Sequence, residues 1–561
     1  MLKADGIRTG EIIMGIYNKK PDIIIRNGCI VDGTGKLPYY ADLAIIGDKI
    51  DYIGDLKGVE AAKLDIDAHH KYVTNGFIDS HTHSDYTIWG NPEAFSAVYQ
   101  GVTTEVVGNC GFSTRSYVAP ENFDKAGDGI DCTYNLGYNA PKGSLAAVLD
   151  KADRMGTSIN MAWLCGHNDL RNLADCKDVY PTEEQYKIME DFLREAMEAG
   201  FIGFSTGLEF EPGIVSKPEE VERLAAIAAE YDANYSTHMR DEGTYIFEAV
   251  NEFLNVIRKT GLRGTVSHLN VKYDNGVPND YLQKSMQMLK DARETEHLNV
   301  MCDMLPTTFA TGDAIAILPP WLYENGWDEA RKILADPAGR AKVKADCNRY
   351  WRFLQAGQWD RLLFVQPQND KETSVTPFRE LVEKSGKDPF DCFLDIVMAA
   401  PTMYDAGRIL MQGTCFNEQI LVDSVVKDPI YMWQTDSFCT PETGPVADAV
   451  ANIQNYISMT YFITRYVRDI EAISIQDACK KLGSVPAQHF MLEGRGTLEV
   501  GKYADVNVFD INELKINATF AEVNKYCSGM DYVIVNGVPV IAKGQHTMAR
   551  SGKVLRHLPK R

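Results

Sequence analysis

Short apolar runs separated by turn residues dominate both ends of the chain. Near the amino terminus they are "DIIIRNGCIVDGTG" and "ADLAIIGDKIDYIG", and near the carboxyl terminus "GTLEVGKYADVNVFD" and "YVIVNGVPVIAKGQHT". Runs of this length, rich in β-branched residues and bounded by glycine and aspartate, predict short strands joined by hairpins. We therefore expect the two ends to build one β-rich domain together.

The middle of the chain alternates short β-like runs with amphipathic stretches such as "KPEEVERLAAIAAEYDA". A repeated strand–helix order predicts parallel strands connected by helices. Many of these strands end on a metal-binding or titratable residue, namely His81 and His83, Cys110, His167, His238, His268, and Asp436. Because chemistry at the carboxyl ends of parallel strands is typical of a TIM barrel, we predict an α/β fold of the (β/α)₈ type.

The seventh barrel strand is ambiguous, because "NVMCDML", "RLLFVQP" and "RILMQGTCF" compete for it between residues 299 and 432. Part of this region, "LPPWLYENGWDEARKILADPAGRAKVKADCNRYW", is typical of an insertion. We expect it to cap the pocket over about residues 306–360. The predicted domains are a barrel over 75–485 and a β-rich domain made from 1–74 and 486–561.

Composition narrows the function classes. The 561 residues are 45% hydrophobic, and no apolar run approaches the roughly 18 residues that a membrane span needs. The amino-terminal stretch interrupts its apolar pieces with charges, so we expect a cytoplasmic protein without a membrane partner. The net charge of −21 repels phosphate backbones and argues against nucleic acid. A small molecule is the expected partner, and a homo-oligomer is compatible with the sequence.

Six side chains are candidate metal ligands. Residues two apart in a strand project to the same side, so His81 and His83 can bind one ion together. Cys110, His238, His268 and Asp436 each follow another predicted strand, and six such donors at one barrel mouth make a zinc-type environment. Cys110 alone also fits an ordinary buried thiol. His167 also fits a hydrogen-bonding pocket wall.

The motifs also resemble those of a known family. They are "GFIDSHTHSD", "GVTTEVVGNCGFS", "GHNDLR", "GFSTGLEFEPG", "STHMRDE", "SHLN", "LPPW" and "GRGTLEVGKYADVNVFD", in family order along nearly the whole chain. The chain resembles the amidohydrolase superfamily and, within it, the D-aminoacylase branch. The resemblance implies a (β/α)₈ barrel with a β-sandwich made from both termini.

The resemblance also implies roles for the six donors. Cys110, His238 and His268 would hold one zinc ion tightly, and His81, His83 and Asp436 would form a weaker second position. The stretch "GFIGFSTGLEF" has no lysine to be carboxylated, which fits the branch in which cysteine substitutes. Asp436 would move the proton from water to the leaving group. His83 or His167 would steady the developing oxyanion.

The substrate-carboxylate clamp of D-aminoacylases is mostly missing. Asn270 replaces the family's lysine, although Lys272 is close by, and Phe210 replaces a tyrosine. Leu305 and Thr307 stand where two further tyrosines would be, and "TDSFCTPETGPVADAV" lacks the His-Pro-Arg that should follow Asp436. A buried carboxylate without cationic partners costs several kcal/mol, so we expect a substrate other than an N-acyl-D-amino acid. The remaining substrate-binding candidates are Arg240, Thr311 and Trp433.

The sequence therefore predicts a zinc-dependent hydrolase that cleaves an amide or a cyclic carbonyl in a small, uncharged molecule. One alternative is a C–C bond hydrolase that opens a cyclic 1,3-diketone of the dihydrophloroglucinol type. An alternative of another class is a non-catalytic protein that keeps the barrel for a structural role.

Overall fold

A computed structural model of the chain has strands at both ends and in the middle. It describes residues 17–113, 144–176, 178–210, 212–271, 277–278, 280–322, 325–346, 357–369, 372–402, 405–406, 409–450 and 452–557. In chain order the strands are β1 (Ile23–Val31), β2 (Tyr39–Ile46), β3 (Lys49–Gly54), β4 (Leu64–Asp67), β5 (Tyr72–Asn75), β6 (Phe77–Asp79), β7 (Val102–Val107), β8 (Asn160–Gly166), β9 (Gly203–Gly207), β10 (Asn234–His238), β11 (Arg263–Val266), β12 (Val300–Met304), β13 (Phe309–Asp313), β14 (Leu362–Asn369), β15 (Glu372–Pro377), β16 (Leu410–Thr414), β17 (Tyr431–Trp433), β18 (Val506–Phe509), β19 (Met530–Val535), β20 (Val538–Ala542) and β21 (Gln545–His546).

The α-helices connect these strands and pack around them. Their bounds are Ser84–Thr87, Phe95–Val98, Leu145–Met155, His167–Leu173, Glu183–Ala199, Pro218–Glu230, Ile246–Thr260, Tyr281–Thr295, Trp327–Ala335, Pro337–Ala345, Phe378–Ser385, Pro389–Met398, Glu418–Leu421, Pro445–Ala449, Gln454–Tyr461, Ile475–Lys481 and Ser484–His489. In Glu183–Ala199, Thr182 and Gln185 form a capping box, and Met189, Leu193 and Met197 are buried at a spacing of four. Among the described residues, no helix is long and apolar enough to cross a bilayer.

The two ends of the chain meet in one nine-stranded sheet. Its order is β21-β20-β19-β18-β5-β1-β2-β3, with β4 beside β1. Carboxyl-terminal β18 pairs antiparallel with amino-terminal β5, so that Val506 lies opposite Asn75. Isoleucine and valine side chains of both ends share the core of this sheet, as the alternating pattern of these strands predicts.

Eight parallel strands form the barrel, in the order β6-β7-β8-β9-β10-β11-β12-β17. Backbone hydrogen bonds bring the first and last strands together beyond their ends, from Asp436 N to His81 O (3.1 Å) and from His83 N to Ser437 O (2.8 Å). The interior is filled by an apolar cluster that includes Ile78, Val106, Leu164 and Met432. This confirms the predicted (β/α)₈ TIM-barrel fold.

The pairing of strands identifies the seventh barrel strand. Only β12, in "NVMCDML", pairs in parallel with both β11 and β17. The other two candidate segments form β14 and β16, which lie in a separate antiparallel sheet of order β13-β16-β14-β15. That sheet and the helices between β12 and β17 form one insertion. The predicted cap over 306–360 lies within it, although residues 323–324 and 347–356 are outside the described part of the chain.

Candidate metal centre

Strand ends bring six potential metal donors to one side of the barrel. His81 and His83 follow β6, Cys110 follows β7, His238 ends β10, His268 follows β11 and Asp436 follows β17. Cys110, His268 and Asp436 have positive φ angles of 52°, 35° and 47°. Residues other than glycine rarely adopt this conformation, and where they do it often marks a functional site. The chain therefore turns away from the strand ladder at these three donors.

Glycine makes room for the Cys110 loop. A Cβ atom at Gly207 would lie 2.0 Å from the Cys110 carbonyl oxygen, a distance that forbids any side chain there. The Ser205 hydroxyl accepts a hydrogen bond from Gly111 N (3.0 Å), and the Asn168 N–H donates to the Gly111 carbonyl (2.8 Å). The β8 and β9 ends thus support the loop that carries the cysteine.

Cys110, His238 and His268 form one potential metal-binding group. The Cys110 sulfur lies 3.5 Å from His268 Nε2 and 3.8 Å from His238 Nδ1. All three side chains are almost fully buried. One thiolate and two imidazoles are donors that zinc prefers in proteins.

A second group contains His81, His83, Asp436 and again Cys110. Asp436 Oδ1 lies 3.2 Å from His83 Nε2 and 3.4 Å from His81 Nε2, and Cys110 Sγ lies 3.3 Å from His81 Nε2. Cys110 therefore touches both groups. The two groups share one continuous cluster, with Asp436 at the side that reaches solvent, because 29% of its side chain is exposed.

Three carboxylates that the sequence analysis did not select orient the histidines. Glu209 lies 3.0 Å from His238 Nε2, and Glu242 lies 2.6 Å from His268 Nδ1. Asp303, on β12, accepts a hydrogen bond from the His268 backbone N–H (2.7 Å). A carboxylate on the far nitrogen fixes the tautomer and ring orientation of a metal-binding histidine. The motifs "GLEFEPG" and "HMRDE" contain Glu209 and Glu242, but the sequence alone does not indicate that these acids contact the histidines.

The charges of the cluster suit a dication. Burial raises the pKa of the Cys110 thiol, but the imidazoles of His81, His238 and His268 hold it well below its usual range, so the thiolate is favoured. Burial also raises the pKa of Asp436, but His81 and His83 hold it well below its ordinary value. The residues present, two anions beside four imidazoles with orienting carboxylates, fit a zinc ion.

Asp79 on β6 and Glu105 on β7 lie opposite each other and form a buried pair of carboxyl groups. Asp79 accepts backbone hydrogen bonds from His81 (3.2 Å) and Thr435 (3.1 Å), which join the first and last barrel strands. Burial and the charge of Glu105 raise the pKa of Asp79 well above its usual range. Burial likewise raises the pKa of Glu105 to about 7.

Other predicted site residues have different surroundings. The Phe210 ring lies 4.5 Å from the His238 ring, and the Asn270 amide donates to the His268 carbonyl. Leu305 is buried directly after β12. Thr307 donates to Phe309 O (2.6 Å) and accepts from the Gln454 amide (3.3 Å). Thr311 lies on β13 opposite Gln412, and Lys272 is outside the described residues.

Three predicted residues have partners away from the donors. His167 Nε2 lies 2.7 Å from Glu220, which also pairs with Arg171, and these side chains are buried. Arg240 donates two hydrogen bonds to Glu252 (3.0 and 2.9 Å). Trp433 is fully buried with its ring 4.4 Å from that of Phe462, because its side chain points from β17 towards the surrounding helices.

Comparisons with known proteins agree with this architecture. The Amidohydrolase family model matches residues 65–328 and 442–541. N-acyl-D-glutamate deacylase of Alcaligenes xylosoxydans xylosoxydans is 28% identical over 96% of this chain and 97% of its own length. D-aminoacylase of the same organism is 28% identical over 95% and 97%.

A solved structure extends the likeness to three dimensions. It is N-acyl-D-glutamate deacylase from Bordetella bronchiseptica, complexed with zinc and a phosphonate inhibitor. It is 28% identical, with a TM-score of 0.77 and coverage of 96% of this chain and 100% of that chain. Because the family model spans both the barrel and the carboxyl-terminal strands, the chain belongs to the amidohydrolase family, in its D-aminoacylase-like branch, and is a metal-dependent hydrolase.

Proposed function

We propose that this protein is a zinc-dependent hydrolase that cleaves an amide or a cyclic carbonyl in a small, uncharged molecule. The observation that carries the proposal is a complete set of six donors together with neutral residues, Asn270 and Leu305, at the expected clamp positions of the sequence. The intact donor set argues against a non-catalytic structural role. Cys110, His238 and His268 would hold the tight ion, and His81, His83 and Asp436 a weaker second one.

The side chains of the centre supply the proton chemistry. Zinc held by these donors would polarise a substrate carbonyl and lower the pKa of water towards about 7. Asp436 is kept as a carboxylate by His81 and His83, so it can accept the proton of the attacking water. Water oxygen adds to the carbonyl carbon, the C–N bond breaks, and Asp436 returns the proton to the leaving nitrogen.

His83 is the better candidate to steady the developing oxyanion. Its ring nitrogen lies 3.2 Å from Asp436 and 15% of its side chain is exposed, whereas His167 is buried against Glu220. Burial lowers the pKa of His83, but hydrogen bonds with Asp436 and Cys110 raise it to about 9, so the imidazole has a proton to donate at neutral pH whenever the weaker metal position is empty.

Among the described residues at the expected clamp positions, the lack of free positive charge supports a neutral substrate; Lys272 lies outside the described residues. Arg240 is a candidate for binding a substrate carboxylate, but its Nε and Nη2 already donate hydrogen bonds to Glu252. A substrate carboxylate would therefore be desolvated without compensation from Arg240, Asn270 or Leu305, which costs several kcal/mol. N-acyl-D-amino acids are poor candidates for this reason.

A cyclic 1,3-diketone is the second candidate substrate, and the aromatic side chain of Phe210, which lies against the His238 ring, favours it. Water would add to one ketone, and the adjoining ring C–C bond would break. The electron pair would leave on the carbon that the second ketone stabilises as an enolate. Asp436 would return the proton to that carbon, which yields an open-chain oxo acid.

A substrate panel tests the proposal. Zinc-loaded protein is assayed with N-acetyl-D-glutamate, hydantoin, glutarimide and 2,2-dimethylcyclohexane-1,3-dione, which has no acidic hydrogen between its ketones and stays uncharged. Turnover of one or more neutral rings, with little or none of N-acetyl-D-glutamate, is expected. Efficient turnover of N-acetyl-D-glutamate would contradict the charge argument, and no turnover of any compound would contradict the proposed reaction classes.

A further inference from the structure

Two phenylalanines stand at the ends of the row of metal-site histidines. Ring centroids are separated by 5.5 Å between His83 and His81, 5.3 Å between His81 and His268, and 4.5 Å between His268 and His238. The Phe438 ring lies 5.6 Å from His83, and the Phe210 ring lies 4.5 Å from His238. The four imidazoles are thus bracketed by one phenylalanine on each side.

The bracket is partly open to solvent. Phe210 and Phe438 are both partly exposed. The carboxylates that contact the histidines, Glu209, Glu242 and Asp303, are buried. Asp436, two residues before Phe438, has 29% of its side chain exposed. Asp436 and both phenylalanine rings are therefore each partly accessible to solvent.

Further aromatic rings hold the bracket in place. Tyr86 lies 6.5 Å from Phe438, and its hydroxyl donates to the Ser113 carbonyl (2.9 Å). Phe112 lies 6.1 Å from Phe210 on the other side. Because rings in contact with neighbours lose few rotamers on binding, such walls are rigid apolar surfaces for a ligand.

We propose that Phe210 and Phe438 are specificity-determining residues that select a small carbonyl ring over an open-chain molecule with the same reacting groups. This inference rests on the proposed function for its choice of substrates. Each phenylalanine offers an apolar ring against which a flat ligand ring can stack. It also arrives with its rotors already fixed, whereas an open chain must order several bonds in the site.

Matched pairs of compounds test the selection. Glutarimide and diacetamide are both imides, and 2,2-dimethylcyclohexane-1,3-dione and 3,3-dimethylpentane-2,4-dione are both 1,3-diketones without an acidic hydrogen between the ketones, so the members of each pair stay uncharged and differ chiefly in ring closure. Dissociation constants with the zinc-loaded protein are measured by calorimetry, and kcat/KM is measured for any compound that is turned over. The variants are Phe438→Leu and Phe210→Leu. Tyr180→Leu, at a side chain that is 74% exposed, is the matched aromatic control.

The expected result is tighter binding of the ring in at least one pair, with a ring preference that falls about tenfold in both site variants but not in the control. Zinc content and melting temperature should stay unchanged, which separates selection from misfolding. No ring preference in the wild type, or a preference that survives both site substitutions, would overturn the inference. Ring-selective binding without turnover would contradict the proposed reaction and leave the aromatic walls supported.

Discussion

Removing the charge of Glu242 should weaken zinc binding without touching a zinc ligand. Its carboxylate lies 2.6 Å from His268 Nδ1, and the two side chains are only 4% and 7% exposed. Glu242→Gln keeps an acceptor oxygen at nearly the same volume but removes the negative charge that orients the imidazole and makes it more basic. The perturbation is therefore electrostatic and not steric.

The magnitude follows from the kind of contact. Loss of an outer carboxylate partner typically lowers metal affinity about 10- to 100-fold, which is about 1.4–2.7 kcal/mol. Since this hydrogen bond is short and shielded from water, we expect the upper half of that range. Zinc dissociation constants are measured by competition with a chromogenic chelator at one fixed pH, because protons compete with the ion for histidine.

Glu252→Gln is the matched control, because Glu252 pairs with Arg240 instead of a histidine of the centre. Its zinc affinity should equal that of the wild type. An affinity of Glu242→Gln within twofold of the wild type would refute the view that Glu242 orients His268 for metal binding.

Three further predictions concern the proton shuttle, the cysteine loop and a buried ion pair. Asp436→Asn should lower kcat about 10²- to 10⁴-fold and retain tight zinc, as measured by kinetics and metal analysis; unchanged kcat would exclude Asp436 as the shuttle. Gly207→Ala should displace Cys110 and lower zinc occupancy, since its Cβ would lie 2.0 Å from the Cys110 carbonyl; wild-type occupancy would contradict this. Burial raises the pKa of Glu220, but His167 and Arg171 hold it below its usual value in the folded protein. The stability that this ion pair contributes is therefore present above the usual pKa of a glutamate and is lost as the pH falls through the lowered pKa. Glu220→Gln should lower the free energy of unfolding by about 3–5 kcal/mol near neutral pH and by less in acid, measured by urea denaturation, and a pH-independent difference would refute the pairing.

The fold was predictable from the sequence where local pattern and chemistry coincide. Strands followed by or ending on His83, Cys110, His238 and Asp436 indicate parallel strands of a barrel, because the carboxyl ends of parallel strands meet at one mouth. The seventh strand was not predictable, since three apolar runs fit it equally. Only pairing with both β11 and β17 distinguishes β12 from the strands of the insertion.

The residues that support the site could not be predicted from local sequence pattern, because their contacts join distant parts of the chain. Glu209 and His238 are 29 residues apart, and His167 and Glu220 are 53 apart, so their pairing follows only from the folded chain. Phe438 likewise gains its place beside His83 from the closure of the last strand on the first. A sequence pattern gives the donors, whereas the walls and orienting acids require the structure.

The zinc content of purified protein tests the account most directly. Mass spectrometry of the wild type should find at least one zinc ion per chain, and Cys110→Ala should lose it, because the Cys110 sulfur touches both groups of donors. Absence of zinc from the wild type after zinc loading, or undiminished zinc in Cys110→Ala, would contradict the metal centre on which the proposed chemistry depends.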